Sequence, residues 1–370
     1  MPFRPLTTQI VGSYRKPHWL ARHQRMRALD ASWWRPEEVV LQEAKEDAVR
    51  LAIYEQERAG LDLLTDGEAQ RPSYDRYFLS GLSNIDTTNL EQSRAGGNIE
   101  GAVRDTLNNQ EYNELSALKP VVTGDIAWSH PMSVDELQFL KANTEKPVKT
   151  ALVGPVTLSA QLVDSFYGDA EALVMAIAAA LNNELQALEA AGVDVIQIDE
   201  PGAHFAMDLV RAAGNRSIAR MVEGVTVPVI VHVCYGYALV YTEKSPSPTY
   251  PELLEIYADA PVAAISIEYE QPKHGPDVLR HCGDKHVVLG LLDLGNQDVE
   301  PPEHIARRLE AAMKVVPAER LHPTSDCGMW YLPHDVAFGK ICALVQGTEL
   351  VRSEWAGAAK GAGLVAEGQP

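Results

Sequence analysis

The sequence has little of several features that define common protein classes. Its four cysteines are few for 370 residues, so a disulfide-stabilised secreted scaffold is not expected. Residues 1–5 are not followed by an apolar segment, and we therefore expect no secretory signal and a reduced, cytoplasmic protein. No run approaches the roughly 18 consecutive apolar residues that a membrane span needs. This predicts a chain that does not cross a bilayer.

Positive charge is also scarce. Lys and Arg number 32 against 51 Asp and Glu, which gives a formal net charge of −19. Nucleic acids and anionic membranes are bound by clustered Lys and Arg side chains, so the balance argues against both partners and favours a small-molecule substrate. Hydrophobic residues make up 46% of the chain, enough for one large α/β barrel or two ordinary domains.

Short β-branched runs alternate with longer amphipathic segments along the chain. We predict eight strands, at residues 7–11, 62–65, 148–153, 194–198, 227–233, 263–267, 286–292 and 321–324. We predict helices between most of them, at residues 35–59, 169–191, 205–223, 251–258, 301–315 and 333–346. Eight strand–helix units are the number in a (β/α)8 barrel, so the predicted fold is an α/β TIM barrel.

Two segments depart from this alternation. Residues 78–146 are polar and Asn-rich, and we predict that they form an insertion after strand two. Residues 356–370 are rich in Gly and Ala and are predicted to be a loose C-terminal tail. The predicted organisation is therefore a single catalytic barrel over residues 1–355 that carries the inserted segment.

Soft metal ligands follow predicted strands five and eight. His232 and Cys234 lie two residues apart, so their side chains point to one face of a strand, and Cys327 follows strand eight. The carboxyl ends of barrel strands meet at one edge, where Glu268 would supply a fourth ligand. Imidazole, thiolate and carboxylate groups bind zinc, and we predict a zinc site. The alternative is that the histidine and cysteines are inert core residues.

Other polar residues at the same strand ends could bind an amino acid. Glu68 and Asp199 can bind an ammonium group, and the backbone amides of Gly12 and Ser13 can bind a carboxylate. Structural alternatives are that Asp199 caps a helix and that Glu68 pairs with Arg71. An amino acid with a thiol would use the metal, the acids and the amides together, while a hydrolytic zinc site is the competing interpretation.

Seven motifs, in this order, resemble those of the catalytic half of cobalamin-independent methionine synthase and its single-barrel relatives. They are Val11-Gly-Ser-Tyr, Asp66-Gly-Glu-Ala-Gln-Arg, Leu152-Val-Gly-Pro-Val-Thr, Ile196-Gln-Ile-Asp-Glu-Pro, His232-Val-Cys, Ile265-Ser-Ile-Glu, and Pro317-Ala-Glu-Arg-Leu followed by Asp326-Cys-Gly. The predicted insertion and tail lie outside the resemblance, and the amino-terminal barrel of the full-length synthases has no counterpart here.

The resemblance implies a (β/α)8 barrel whose substrate is homocysteine. The implied zinc ligands are His232, Cys234, Glu268 and Cys327. The implied amino-acid contacts are the Gly12–Ser13 loop for the carboxylate, and Asp199 and Glu68 for the amino group. Zinc would lower the pKa of the substrate thiol and hold it as a thiolate nucleophile.

Two features differ from the members that use methyltetrahydrofolate. Those enzymes have a Trp soon after the Gly-Pro-Val-Thr motif that stacks on the pterin, but residues 158–161 contain no aromatic side chain. They also have a His shortly after the Asp on strand seven that protonates the leaving nitrogen, whereas this chain reads Asp293-Leu-Gly-Asn. Both differences favour a donor that needs no protonation, such as a methylated corrinoid, or another alkyl donor.

Zinc-dependent methyl transfer to homocysteine, giving methionine, is the leading prediction, with methyltetrahydrofolate, a methylated corrinoid or another compound as donor. A second possibility is alkylation of another thiol such as coenzyme M, which has a sulfonate and no ammonium group. A third is a non-catalytic zinc-binding protein with a closed four-ligand site.

Overall fold

A computed structural model of the chain describes residues 4–25, 29, 31–92, 117–238 and 243–366. Its strands are β1 (Ile85–Gln92), β2 (Leu118–Val122), β3 (Lys149–Val153), β4 (Val163–Asp164), β5 (Val195–Asp199), β6 (Val229–Val233), β7 (Ala264–Ile267), β8 (His286–Gly290) and β9 (Leu321–Thr324). The protein is an α/β protein whose main sheet has six strands in the order β3-β5-β6-β7-β8-β9. All neighbouring pairs in this sheet are parallel.

Helices follow most of the parallel strands, as the sequence predicts. They are α1 (Glu38–Ala59), α2 (Val134–Ala142), α3 (Pro155–Ser159), α4 (Ala170–Ala190), α5 (Met207–Leu209), α6 (Asn215–Met221), α7 (Tyr250–Ala258), α8 (Pro302–Met313) and α9 (His334–Ala366). A π-helical turn, Val210–Gly214, joins α5 to α6. Single 3-10 turns occur at His23–Arg25, Ala31–Trp33, Arg76–Gly81, Ala203–Phe205, Pro276–Cys282 and Ala318–Arg320. No helix in the described ranges is long and apolar enough to cross a membrane.

The segments 7–11 and 62–65, predicted as strands one and two, are not regular strands in the structure. The carboxylate of Asp62 accepts hydrogen bonds from the amide (2.9 Å) and the hydroxyl (3.1 Å) of Thr8. Backbone hydrogen bonds nevertheless lead through these segments from one edge of the six-stranded sheet to the other. They run from Leu6 N–H to Leu321 C=O (3.0 Å), from Leu63 N–H to Thr8 C=O (3.2 Å), and from Lys149 N–H to Leu64 C=O (2.8 Å).

A second, smaller sheet has the strand order β1-β2-β4. Its strand β2 pairs antiparallel with β1 and parallel with β4. Within the range 78–146 that was predicted as an insertion, the described residues thus include β1, β2 and α2. That this range is an insertion into a single barrel domain stays a prediction.

The C-terminal segment differs from the sequence prediction. We predicted a loose tail over residues 356–370, but α9 continues without a break to Ala366. The reason is compositional, since this segment contains several alanines, and Ala is the residue with the highest helix propensity. Residues 367–370 lie outside the described part of the chain.

Candidate metal centre and active site

Parallel strands in register bring the predicted site residues to one edge of the main sheet. Asp199 at the end of β5 is paired with His232 on β6, and His232 is paired with Ser266 on β7. Because all these strands run in the same direction, the residues that follow them lie at the same edge. The site is therefore built from separate parts of the sequence, as the strand-end pattern predicts.

Three of the predicted metal ligands lie together. The ligand atoms of His232, Cys234 and Cys327 are all within 4.8 Å of one another, and all three residues are buried. The two Sγ atoms are 3.6 Å apart. One imidazole and two thiols are the soft donors that zinc prefers in proteins, so the donor set fits that ion.

The imidazole of His232 is oriented by one neighbour and leaves one nitrogen unused. Its Nδ1 lies 2.9 Å from the hydroxyl oxygen of Ser266. Its Nε2 is buried and has no hydrogen-bond partner among the described residues. Burial lowers the pKa of His232 to about 3, so the ring is neutral at physiological pH. A neutral ring whose Nδ1 proton is bound to Ser266 keeps the Nε2 lone pair for a metal.

The thiol of Cys234 holds its proton when no cation is beside it. The pKa of Cys234 is raised well above its usual value by the contact with Cys327 and by burial. A divalent cation reverses this preference because it binds the thiolate form. A shared cation would therefore give the buried thiols and the unused imidazole nitrogen a common partner.

Glu268, the predicted fourth ligand, is adjacent to these residues but engaged elsewhere. Its Oε1 accepts a hydrogen bond from Lys244 Nζ at 2.5 Å, and its Oε2 accepts one from the Tyr235 amide at 2.7 Å. Its oxygens are not part of the group of mutually close ligand atoms. The role of Glu268 as a ligand stays a prediction.

Three of the residues predicted to bind the amino acid, Ser13, Glu68 and Asp199, line the same cavity as the three soft ligands. Its lining consists of Val11, Ser13, Glu68, Tyr74, Asp199, Pro201, His232, Cys234, Gly236, Tyr237, Cys327 and Gly328. The hydroxyl oxygen of Ser13 is buried there without a hydrogen-bond partner in the described part of the chain. A polar molecule that reaches the two cysteines would therefore meet one unsatisfied hydroxyl and two carboxyl groups.

Two buried carboxyl groups at this cavity have raised pKa values. Burial and the nearby Glu68 raise the pKa of Asp199 to about 8. Burial likewise raises the pKa of Glu68. An ammonium group placed between them would favour the ionised form of both acids, which is the usual effect of an opposite charge.

Glu68 is held in an unusual backbone conformation. It is a non-glycine residue with a φ of +53°. Its amide donates to Asp66 Oδ1 at 2.9 Å, and Lys16 Nζ donates to its carbonyl oxygen at 2.5 Å. Strain of this kind is retained where the surrounding structure fixes it, often at functional sites.

Gly12 contributes to the site by leaving space. A Cβ at this position would overlap the carboxylate of Glu68, so only glycine allows Glu68 to reach its place. Gly12 is not among the residues that line the cavity, whereas Ser13 is.

The structure also decides two alternatives left open by the sequence. Glu200, not Asp199, caps a helix, because its carboxylate accepts hydrogen bonds from the amides of Val156 (3.0 Å) and Thr157 (2.8 Å) at the start of α3. Arg71 forms its ion pair with Glu136 at 2.8 Å and not with Glu68. Both Asp199 and Glu68 therefore keep their carboxyl groups at the cavity.

Sequence reasoning missed three residues at the site. Tyr74 and Tyr237 line the cavity, and their rings meet edge to face with centroids 5.6 Å apart. Lys244 binds Glu268 from a segment ten positions beyond Cys234. All three lie outside the strands and in segments without periodic pattern, so no spacing in the sequence indicated them.

A sequence profile described as the catalytic domain of cobalamin-independent synthase matches residues 6–349. The chain belongs to this family. It is accordingly a methyltransferase, which confirms both the resemblance and the predicted enzyme class.

Individual members of the family match nearly the whole chain. A methionine synthase from Thermococcus kodakarensis is 31% identical over 353 residues, which cover 95% of each chain. One from Sulfurisphaera tokodaii is 30% identical over 351 residues, 94% of this chain and 93% of the other. The solved structure of a B12-independent methionine synthase from Shewanella sp. W3-18-1, in complex with selenomethionine, has a TM-score of 0.84 and 31% identity and covers 95% of this chain and 99% of that one.

Proposed function

We propose that this methyltransferase transfers a methyl group to the thiol of homocysteine to give methionine, and that zinc is its metal. The observation that carries the proposal is one cavity lined both by the buried group His232, Cys234 and Cys327 and by the acids Glu68 and Asp199. The related Shewanella enzyme in complex with selenomethionine, a product-like amino acid, supports a substrate of this class.

The acids and the serine orient the amino acid in this proposal. Its ammonium group lies between Glu68 and Asp199, and its carboxylate lies at the Gly12–Ser13 loop, where the Ser13 hydroxyl has no other described partner. The sulfur then extends toward Cys234 and Cys327. An amino acid held at three points in this way brings its thiol to the soft ligands in a fixed orientation, which lowers the entropic cost of the reaction.

The proposed metal ligands are His232, Cys234, Cys327 and Glu268. When bound there, zinc would lower the pKa of the substrate thiol and keep it ionised at neutral pH. Ser266 fixes the imidazole through Nδ1, and the Tyr235 amide fixes one oxygen of Glu268. Outer contacts of this kind set the geometry of the ligands and their basicity.

The residues that follow β3 and β8 fit a methyl donor whose leaving group needs no proton. Leu158 is fully buried in α3 and offers no ring to a pterin. The carboxylate of Asp293 accepts a hydrogen bond from the Gly295 amide at 2.8 Å and one from the Asn296 side chain at 3.1 Å. Asp293 thereby stabilises its own turn, and no histidine stands between it and residue 300.

We also propose that the main sheet closes as a (β/α)8 barrel. The hydrogen bonds through residues 6–11 and 62–65 support closure between β9 and β3. A small buried cluster, separate from the main core, consists of Leu63, Val195, Ile230, Ala264 and Val288. These five apolar side chains come from β5, β6, β7, β8 and the segment 62–65, as is expected of side chains that fill the interior of a barrel.

The decisive experiment supplies purified, zinc-loaded protein with homocysteine and, in turn, methylcobalamin, methyltetrahydrofolate with one or several glutamates, and simple methyl donors. Formation of methionine with one of them is expected and names the donor. X-ray absorption at the zinc edge, with and without homocysteine, tests the substrate independently of the donor. If homocysteine neither binds nor adds a sulfur neighbour to zinc, the proposal is wrong.

The two competing functions fit the cavity less well. Coenzyme M carries a sulfonate and no ammonium group, so it offers no positive charge to pair with Glu68 and Asp199, and a methyl acceptor with an ammonium group is favoured. A purely structural zinc site needs four protein ligands that exclude other molecules, whereas here the soft ligands line a cavity together with other polar groups. A clear kinetic preference for coenzyme M over homocysteine with one activated alkyl donor would reverse this ranking.

A further inference from the structure

Lys244 places a positive charge against the candidate metal centre. Its Nζ donates to Glu268 Oε1 at 2.5 Å and to the carbonyl oxygen of Gly236 at 2.6 Å. The side chain of Lys244 is 2% exposed and that of Glu268 is 0% exposed. The flanking residues Glu243 and Ser245 are exposed, so the side chain of Lys244 turns inward between two residues that face solvent.

The surroundings of Lys244 favour its charged form. Burial opposes the charge, but Glu268, Cys327 and Cys234 together raise the pKa of the lysine above its ordinary value. Lys244 in turn contributes to the low pKa of His232. The ammonium group therefore acts electrostatically on every residue that would bind the metal.

A metal cation bound by Glu268 would lie close to the ammonium group of Lys244, and the two positive charges would repel each other. One carboxylate oxygen accepts from Lys244 and the other from the Tyr235 amide. Tyr235 directly follows the ligand Cys234, so its amide stays with the site. Lys244 lies on a separate, exposed segment, and its contact is the one that can be exchanged.

We propose that Lys244 and the metal compete for Glu268, so that metal binding releases Lys244 from its buried position. The inference rests on the proposed zinc centre. Until the metal binds, the lysine spares a fully buried carboxylate from being left unpaired, which is a costly state. Metal uptake is thereby coupled to the position of the segment around Lys244.

Zinc affinity gives the first test. In the variant Lys244→Met the competing charge is gone, and we expect zinc to bind about tenfold more tightly, measured by competition with a chromophoric chelator. Lys285→Met is the matched control. Lys285 donates only to the carbonyl oxygens of Ala260 (2.8 Å) and Val262 (2.9 Å) at the opposite end of the sheet, so its loss should leave zinc affinity unchanged.

Chemical labelling of the wild-type protein gives a second test that requires no variant to fold. Lys244 should react slowly with an amine-acetylating reagent in protein stripped of zinc and at least several-fold faster after zinc is added, as measured by peptide mass spectrometry. The labelling of Lys285 should not respond to zinc.

The outcomes separate this inference from the proposed function. If wild-type protein binds no zinc, the proposed metal centre fails and the inference fails with it. If zinc binds to Lys244→Met with the same affinity as to the wild type, or more weakly, the competition between Lys244 and zinc is refuted. Weaker binding would mean that Lys244 helps to hold the metal. Labelling of Lys244 that is unchanged by zinc would refute the release.

Discussion

The two ends of the main sheet both bury histidine, but in different states. At the amino end, His286 Nδ1 and His322 Nε2 lie 2.9 Å apart with their rings stacked, so each imidazole has another imidazole as its neighbour. At the carboxyl end, His232 has a partner at Nδ1 and none in the described residues at Nε2. A buried polar atom without a partner costs free energy, and a protein retains it where a ligand supplies the missing contact.

The comparison teaches that burial and residue type alone do not identify a site. Both ends carry buried histidines whose pKa is lowered by burial, to about 3 for His232 and also about 3 for His322. What differs is the neighbourhood, because the imidazole at the carboxyl end lies beside two thiols and lines a cavity with the buried Ser13 hydroxyl, whereas His322 pairs with another imidazole. The following predictions test whether this difference separates function from stability.

The largest effect is expected from Cys327→Ala. Removing a residue that only hydrogen-bonds to a metal ligand weakens metal binding by up to about 100-fold. Removing one of the three mutually close soft ligands should therefore weaken zinc binding by more than about 100-fold. Zinc content after dialysis is the measurement, with circular dichroism to verify the fold. Cys282→Ala is a suitable control because Cys282 is buried in a 3-10 turn away from the cavity. Retention of a full equivalent of tightly held zinc by Cys327→Ala would contradict the assignment.

The next effect concerns pH. Asp199 has a pKa raised to about 8 by burial and by Glu68, so below pH 8 it is protonated and must lose its proton to bind an ammonium group. Homocysteine affinity should therefore rise from pH 6 to pH 8, by at most about tenfold per unit. Isothermal titration at constant zinc loading measures this slope.

Asp199→Asn should remove the part of that slope that comes from Asp199, because the amide cannot titrate, and should leave the part that comes from the thiol proton released to zinc. The neutral side chain should also weaken homocysteine binding at pH 8. An affinity of the variant that still rises as steeply as that of the wild type would show that another group controls the pH dependence.

A third prediction addresses the amino end. His322→Ala leaves His286 without its buried partner and should destabilise the protein by about 2 kcal/mol, roughly 30-fold in the folding equilibrium. Denaturant unfolding of zinc-stripped protein measures this loss. Zinc affinity and homocysteine binding of the folded variant should equal those of the wild type. A change in either would show that the histidine at the amino end also affects the site.

The smallest effect is expected from Ser266→Ala. The hydroxyl orients His232 from a distance of 2.9 Å, and its loss should weaken zinc binding by about tenfold with little change in stability. Ser266→Thr, which keeps the hydroxyl, should restore part of the affinity. Equal affinity for the alanine variant and the wild type would mean that packing alone orients the imidazole.

Local patterns predicted the regular part of the fold. Strands β3 and β5 to β9 were identified by apolar β-branched runs, and their ends pointed to His232, Cys234, Cys327 and Asp199. Residues 7–11 and 62–65 have the same composition but are not regular strands. There the amide of Thr8 donates to the side chain of Asp62, a contact between distant residues that no local pattern reveals.

The neighbours of the site residues could not be predicted. Lys244 lies in an exposed segment, and only the folded chain shows that its side chain turns toward Glu268. The sequence likewise leaves open which of Asp199 and Glu200 faces a helix. That choice depends on where the amides of α3 lie, which is set by the packing of β3 against β5.

Asp199 and Glu200 are adjacent in the chain but contact different parts of the structure, and this has a consequence for redesign. Adjacent residues on one strand end bind in two directions, one at the cavity and the other at the first amides of α3. An engineer who replaces α3, for instance to introduce an aromatic platform near Leu158, also disturbs the anchor that fixes the neighbouring acid. Under the proposed function, the peptide bond between Asp199 and Glu200 links the preference for a methyl donor to the recognition of the amino acid. Directed evolution of one property should therefore repeatedly select compensating changes in the other.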